Sequence, residues 1–142
     1  MNKIIKSNKK LEIESIKELE EKYNIILPIQ YKNFLLKYNG GYPEFSLFKI
    51  SEKQREDIVN VFYGVNNEYD NIAQYLDYLE DIIPKEFIPI ADDPSGNQIC
   101  LGISGIYVGK IYFLIHDMYS DEKMDSLIFL ANSFDEFFHN LY

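Results

Sequence analysis

The close spacing of four short apolar runs in the second half of the chain constrains the fold more than any other feature. These runs are rich in β-branched and aromatic residues, as strands are. Parallel strands need a crossover of a dozen or more residues, and the connections here are shorter, so we expect antiparallel pairing. The predicted strands are FIPIA (87–91), QICLGI (98–103), KIYFLIHD (110–117) and SLIFLA (126–131).

The first 40 residues have the periodicity of helices. Apolar residues recur at spacings of three and four, which places them on one face of a helix over residues 11–23. This helix should end before Pro28, because the residue that precedes a proline resists the α conformation. A second helix is predicted from Pro28 to the Asn39-Gly40-Gly41 exit, whose residues tolerate positive φ.

The middle of the chain contains two further predicted strands and a third helix. FSLFKI (45–50) and IVNVFYG (58–64) have strand composition, and a charged connection, SEKQRED (51–57), separates them. Helical spacing of apolar residues returns over YDNIAQYLDYLEDI (69–82). We expect Asp70 to cap the start of this third helix.

The chain ends in a predicted helix, which completes an α+β pattern. Ser133 and Glu136 match a capping box ahead of a phenylalanine-rich apolar face. We therefore predict a single α+β domain with a mostly antiparallel sheet. Two N-terminal helices, an inserted helix and a C-terminal helix would pack on this sheet. Its 142 residues suit one domain, predicted over 11–142, preceded by a flexible basic arm over 1–10.

Charge is distributed unevenly along the chain. Residues 1–55 carry 11 Lys and Arg against 7 Asp and Glu, whereas residues 56–142 carry 3 against 16, a net charge of −13. Such a surface would repel nucleic acid and attract a basic protein. No run approaches the roughly 18 uninterrupted apolar residues of a membrane span, so we expect a cytoplasmic protein without a membrane partner.

The stretch IADDPSGNQICLGI (90–103) resembles a ligand loop only at first sight. It lacks the closing glutamate of a calcium loop and the Gly-Lys-Ser/Thr ending of a phosphate loop. A hairpin turn accounts for its residues: Asp92 and Asp93 would accept backbone hydrogen bonds, and Gly96 and Asn97 would accept positive φ. An acidic turn of this kind could also contact a partner.

The sequence contains no motif for catalysis or for metal binding. Cys100 lies in an apolar strand pattern typical of a buried thiol, and no serine lies in a Gly-x-Ser-x-Gly elbow. The two histidines, His116 and His139, lack the HxH and HExxH spacings of zinc sites. A hydrolase using Asp92, Asp93 and His116 stays open as an alternative.

The order of these features resembles the SUKH superfamily of Smi/Knr-type domains. The similarity runs from about Ile13 to Leu141, nearly the whole chain. It is carried by Leu27-Pro28 and Asn39-Gly40-Gly41 around the second helix, the Ile90-Ala91 strand with the Asp93/Gly96 turn, the strand from Gly109 to His116, and Ser133-Phe134 at the start of the last helix.

The resemblance implies an α+β fold with a mostly antiparallel sheet, no catalytic residues and no cofactor. In bacteria it implies an immunity protein that binds and neutralises the toxin domain of a polymorphic toxin, often a nuclease. The fungal relatives, which are cell-wall regulators, leave a scaffold or regulatory module as the alternative.

Acidic residues of the C-terminal two thirds and loop tyrosines are the expected contacts with a basic toxin. Carboxylates would complement its phosphate-binding groove, and tyrosines bring a large contact area at low entropic cost. The candidate residues are Asp70, Asp77, Asp81, Asp92, Asp93, Asp121, Glu122 and Asp125, with Tyr69 and Tyr119 as anchors.

Overall fold

Nine strands and four α-helices make up the parts of the chain that the computed structural model describes, which are residues 2–50, 55–115 and 126–142. In chain order they are β1 (Ile4–Ser7), α1 (Ile13–Tyr23), α2 (Ile29–Tyr38), β2 (Gly41–Pro43), β3 (Leu47–Ile50), β4 (Arg55–Ile58), β5 (Val61–Phe62), α3 (Ile72–Tyr78), β6 (Phe87–Asp92), β7 (Gln98–Gly102), a 3-10 turn (Gly105–Tyr107), β8 (Ile111–Leu114), β9 (Leu127–Ala131) and α4 (Phe134–Asn140).

Seven strands form one antiparallel sheet in the order β1-β2-β5-β6-β7-β8-β9. Strands β3 and β4 form a separate two-stranded hairpin. The predicted antiparallel pairing of the four C-terminal runs is confirmed, because β6 to β9 are consecutive neighbours in the sheet. The α+β fold class is likewise confirmed.

The helix boundaries follow local sequence signals. Helix α1 ends at Asn24 and α2 ends at Asn39, both in the left-handed conformation with φ values of 53° and 54°. Asparagine tolerates this conformation better than most residues, which explains its place at both exits. Ser133 caps α4 by accepting a hydrogen bond from the N–H of Glu136, as the capping box predicts.

A layer of aromatic rings joins the helices to the sheet. The Phe34 ring of α2 lies 4.7 Å from Phe134 and 5.2 Å from Phe138, both of α4, measured between ring centroids. It also meets Phe62 of β5 edge-on at 5.2 Å. Burial of each ring contributes about 1.5–3 kcal/mol, so this layer is a main source of stability.

The sheet carries a core on each of its faces. Side chains of β7 alternate between them, so Ile99 and Leu101 join the large core beneath the helices while Cys100 faces a smaller one. The smaller core contains Ile83 and Phe87. Cys100 is fully buried there, and burial raises the pKa of its thiol, which makes it unreactive at neutral pH.

The N-terminal segment differs from the expected flexible arm. Within residues 1–10, Ile4–Ser7 form the edge strand β1 and pair with β2. The buried side chain of Asn2 donates hydrogen bonds to the carbonyls of Phe45 (2.8 Å) and Phe138 (3.0 Å). The expectation of a loose arm was wrong because Phe45 and Phe138, which bind the Asn2 side chain, are distant in sequence and leave no local signal.

Two predictions for the middle of the chain were also wrong. Residues 51–57 were expected to be a connection, but Arg55–Ile58 form β4, whose charged side chains belong to a hairpin strand. Asp70 was expected to cap α3, but the Asn71 side chain accepts the hydrogen bond from the N–H of Ala73 (3.0 Å). Asp70 instead adopts a positive φ of 53° just before the cap.

The buried tyrosines Tyr31 and Tyr63 allow a test of what an unpaired hydroxyl in the core costs in stability. Among the described residues the Tyr31 hydroxyl has no hydrogen-bond partner, whereas the Tyr63 hydroxyl donates to Oε1 of Gln98 at 2.8 Å. We expect Tyr31→Phe to raise the free energy of unfolding by about 1 kcal/mol, because an unpaired buried hydroxyl is costly.

Tyr63→Phe is the matched control, and we expect it to lower the free energy of unfolding by about 1–2 kcal/mol because it leaves Gln98 without its donor. Urea titration of both variants measures the difference. A loss of stability in Tyr31→Phe would show that its hydroxyl is hydrogen-bonded after all.

Candidate functional site

Four carboxylates from different elements lie close enough to one another to interact electrostatically, and we call this group the acidic face. It consists of Asp57 in β4, Asp70 before α3, Asp92 at the end of β6 and Asp93 in the β6–β7 turn. Burial raises the pKa of Asp92, and the charges of Asp70 and Asp93 raise it further, which shows that these groups repel one another. The structure thus brings Asp70 together with Asp92 and Asp93, which the sequence had indicated as neighbours in one turn.

Asp93 organises the β6–β7 turn. Its carboxylate accepts hydrogen bonds from the N–H groups of Ser95 (2.9 Å) and Asn97 (2.8 Å) and from the Asn97 side chain (2.8 Å). Gly96 supplies the positive φ of 87° that the turn requires. The hairpin interpretation of this stretch is confirmed, and Asp93, only 3% exposed, lies beneath the acidic surface.

Asp92 has a different role from the one expected in the turn. It belongs to β6, and its carboxylate accepts a hydrogen bond from the Asn60 side chain at 3.1 Å instead of from the bend. Asn97 likewise does not adopt positive φ. Because Asp92 is part of a strand, the sheet fixes the position of its half-buried carboxylate.

Asp57 and Asp93 share a hydrogen bond between their carboxyl groups. Burial and this bond raise the pKa of Asp57 to about 6. Burial also acts to raise the pKa of Asp93, but hydrogen bonds from Asp57, Asn97 and Ser95 outweigh it and lower that pKa. Asp57 therefore holds the proton of the pair, and the pair links the β3–β4 hairpin to the β6–β7 turn.

This carboxyl pair predicts a pH dependence of stability. The pKa of Asp57 is higher in the folded protein than in the unfolded chain, so its contribution is present below pH 4 and is lost as the pH rises through about 6. Since Asp57 is only partly buried, we expect a loss of about 1 kcal/mol after solvent screening. Urea titrations at several pH values measure it.

Asp57→Asn is the control for this pH dependence. Its amide donates to Asp93 at every pH, so the loss of stability between pH 4 and 6 should be smaller in the variant, and the loss that remains belongs to Asp92, whose pKa is also raised. An equal loss in both proteins would assign the effect to other groups.

Tyrosine rings extend the acidic face along α3. The rings of Tyr63 and Tyr75 stack at 3.8 Å between centroids with an interplanar angle of 6°, and Tyr78 meets Tyr75 edge-on at 6.3 Å. Burial raises the pKa of Tyr75, with further contributions from Asp92 and Asp70, so both carboxylates lie near its hydroxyl. Tyr78 and Tyr69 are each 74% exposed.

This combination of groups suits a cationic partner. Ion pairs within the described residues join Lys3 to Glu44 and Lys32 to Glu20, and neither involves the acidic face. Guanidinium and ammonium groups bind carboxylates and also stack on aromatic rings. The charge of Arg55 partly offsets the rise in the pKa of Asp57. Arginine or lysine side chains of another protein would supply positive charge to Asp70 and Asp92.

Asn39 holds the loop over residues 64–71, which carries Asp70. Its buried side chain accepts a hydrogen bond from the N–H of Val65 (2.7 Å) and donates to the carbonyls of Val65 (3.0 Å) and Lys9 (2.9 Å). A Cβ atom at Gly64 would lie 2.3 Å from the Asn39 carbonyl oxygen, so only glycine fits there. Sequence reasoning identified Asn39 as a helix exit but missed this function.

Two other predicted contact residues, Asp77 and Asp81, do not join the acidic face. Asp77 lies further along α3 and accepts a hydrogen bond from the Tyr23 hydroxyl at 2.9 Å, and Asp81 is exposed beyond the end of that helix. The remaining candidates, Asp121, Glu122, Asp125 and Tyr119, lie outside the described residues, as does His116 of the alternative hydrolase.

The described residues contain no group of three or more His, Cys, Asp or Glu side chains arranged to hold a metal ion. Over those same residues, no helix has the length and apolar character needed to cross a membrane.

Fold and surface together define an acidic α+β domain built on an antiparallel sheet. Residues 13–138 match the family described as SMI1-KNR4 cell-wall, and the chain belongs to this family, which confirms the predicted SUKH-type resemblance. It is similar to the SPbeta prophage-derived uncharacterized protein YokK of Bacillus subtilis (strain 168). The two are 33% identical over 145 residues, which cover 90% of this chain and 73% of the relative.

Proposed function

We propose that this protein is an immunity protein, which binds a cognate toxin domain, a basic nuclease, and neutralises it without catalysis. The observation that carries the proposal is the acidic face with its tyrosines, whose carboxylates form no ion pair within the described part of the chain. The SUKH-type family supports an immunity role, and the similar prophage-derived protein is consistent with it.

Electrostatics would drive the inhibition. A nuclease needs a positive groove for phosphate, and the acidic face offers carboxylates in place of the phosphates. Long-range attraction accelerates encounter, and burial of the cations against Asp92 and Tyr75 slows dissociation. Asp92 is half-buried beside Asp70, so a partner cation would also relieve their mutual repulsion.

The proposal needs no cofactor and no bond-making by this chain. Its place of action is the cytoplasm, where a nuclease toxin meets its substrate. The partner is the toxin protein, not a nucleic acid, because the region from residue 56 onward carries a net charge of −13.

Co-expression with a candidate toxin, sought first among the neighbouring genes, tests the function. We expect cells that express the toxin to survive when this protein is present and to die when it is absent. His116→Ala should protect as well as the unchanged protein, because no step depends on that imidazole. Loss of protection in His116→Ala, with the folded protein still present, would favour the hydrolase alternative.

The family description favours one second candidate, a scaffold or regulatory module of the kind associated with the cell wall. Deletion of the gene in a strain that lacks the neighbouring toxin separates the two candidates. An immunity protein should be dispensable in that strain, whereas a regulatory module should leave a growth or cell-wall defect.

A further inference from the structure

An apolar groove borders α3. The end of α1, the helix α3 and the strand β6 form its walls, and we call it the α3 groove. Its volume is about 250 Å³, and Leu76, Ile88 and Ile103 are among the side chains that line it. Cofactor and small-molecule pockets usually measure about 300–1,000 Å³, so this volume suits one or two side chains of a protein.

The rim of the α3 groove is acidic. Asp77 and Glu80 of the α3 region line it, against a single lysine, Lys85. The Tyr23 hydroxyl donates to Asp77 (2.9 Å) and to the carbonyl of Ala73 (3.2 Å), which fixes the carboxylate at the edge. Residues 66–84 contain five acidic residues and no Lys or Arg, so the surroundings on this side are negative too.

We propose that the α3 groove receives a protruding segment of the basic partner, with an apolar side chain in the groove and flanking Lys or Arg side chains on Asp77 and Glu80. This inference rests on the proposed function and adds the chemistry of the bound segment. Apolar burial provides affinity in such a contact, and the charged rim selects the partner.

A foreign basic segment fits better than a second copy of this chain. Each chain carries a net charge of −9, so two copies repel each other. The contact with the foreign segment would also be continuous with the acidic face, because Tyr75 and Tyr78 of α3 belong to that face while Leu76 and Asp77 border the groove.

Nuclear magnetic resonance of the ¹⁵N-labelled full chain with a defined peptide tests the proposal. The probe is a peptide of alternating lysine and leucine, with one matched peptide that has serine for leucine and another that has glutamate for lysine. We expect the lysine–leucine peptide to shift the amide signals of Leu76 and Ile103, with binding that weakens as salt is added. The two matched peptides should leave these signals unchanged.

Variants locate the contact and exclude trivial loss of folding. Leu76→Arg should weaken peptide binding about tenfold or more, because it places a cation in the groove, whereas Gln74→Arg adds the same charge at an exposed position of α3 and should not. The pair Asp77→Asn and Glu80→Gln keeps the groove and should weaken binding several-fold. Retained amide dispersion confirms that each variant is folded.

Several outcomes would overturn the proposal. One is that the lysine–leucine peptide leaves the amide signals of Leu76 and Ile103 unchanged. Another is that a matched peptide shifts these signals as much as the lysine–leucine peptide does. A third is that Leu76→Arg and Gln74→Arg bind the peptide equally well. Groove signals that shift with protein concentration alone would assign the site to a second copy instead. Protection from the toxin is measured separately, so a protein that protects cells but binds no peptide would refute the groove and leave the proposed function standing.

Discussion

Replacement of Asn39 by alanine is expected to lower the free energy of unfolding by about 2–4 kcal/mol, one of the largest effects of any polar substitution in this protein. The side chain makes hydrogen bonds to both backbone groups of Val65 and to the carbonyl of Lys9. These partners are buried or partly buried, so alanine would leave them unsatisfied. The left-handed φ of 54° adds strain for alanine.

Asn39→Gly separates the two causes. Glycine accepts the positive φ without strain, so any loss that remains in this variant belongs to the hydrogen bonds. Chemical denaturation gives the free energies, and hydrogen exchange at the amide of Val65 reports the loop over 64–71 directly. If Asn39→Gly were as stable as the original protein, the side chain would not hold the loop.

Removal of charge from the acidic face should slow association with the toxin by about tenfold at low salt. The variant carries Asp70→Asn and Asp92→Asn, which keep the size of both side chains, and asparagine tolerates the positive φ at position 70. Stopped-flow measurement at two salt concentrations gives the association rates. The variant should show the weaker dependence on salt.

A matched variant controls for net charge. Glu18→Gln with Glu21→Gln removes two charges from the exposed face of α1 and should change the rate only slightly. The Asp70 and Asp92 variant should be at least as stable as the original protein, because it removes repulsion that raises the pKa of Asp92. If the two variants slowed association equally, the net charge of the protein, and not the acidic face, would control the association rate.

Sequence patterns predicted the elements whose signals are local. The helices and the antiparallel strands β6 to β9 follow from periodicity and from connection length. The prediction was wrong where pairing depends on distant residues. Strand β1 forms because it pairs with β2 and because the Asn2 side chain is hydrogen-bonded to the carbonyl of Phe138. Strand β4 forms because it pairs with β3.

In the candidate site too, residues with local signals were predicted, and residues whose role depends on distant contacts were missed. Composition and loop position indicated Asp70, Asp92, Asp93 and Tyr69, since acidic turns and exposed tyrosines are visible in a sequence. Asp57 was missed, because its contact with Asp93 depends on how the β3–β4 hairpin packs. The stacking of Tyr75 on Tyr63 was also hidden, because it depends on how α3 packs beside the residue that follows β5.

A titration of this protein into the purified nuclease toxin tests the central claim most directly, with residual nuclease activity as the readout. Binding without catalysis predicts that activity falls in proportion to the protein added and reaches its minimum at one equivalent, with the toxin recovered intact after separation. Complete inactivation by a small fraction of an equivalent, or a toxin recovered in altered covalent form, would contradict the account.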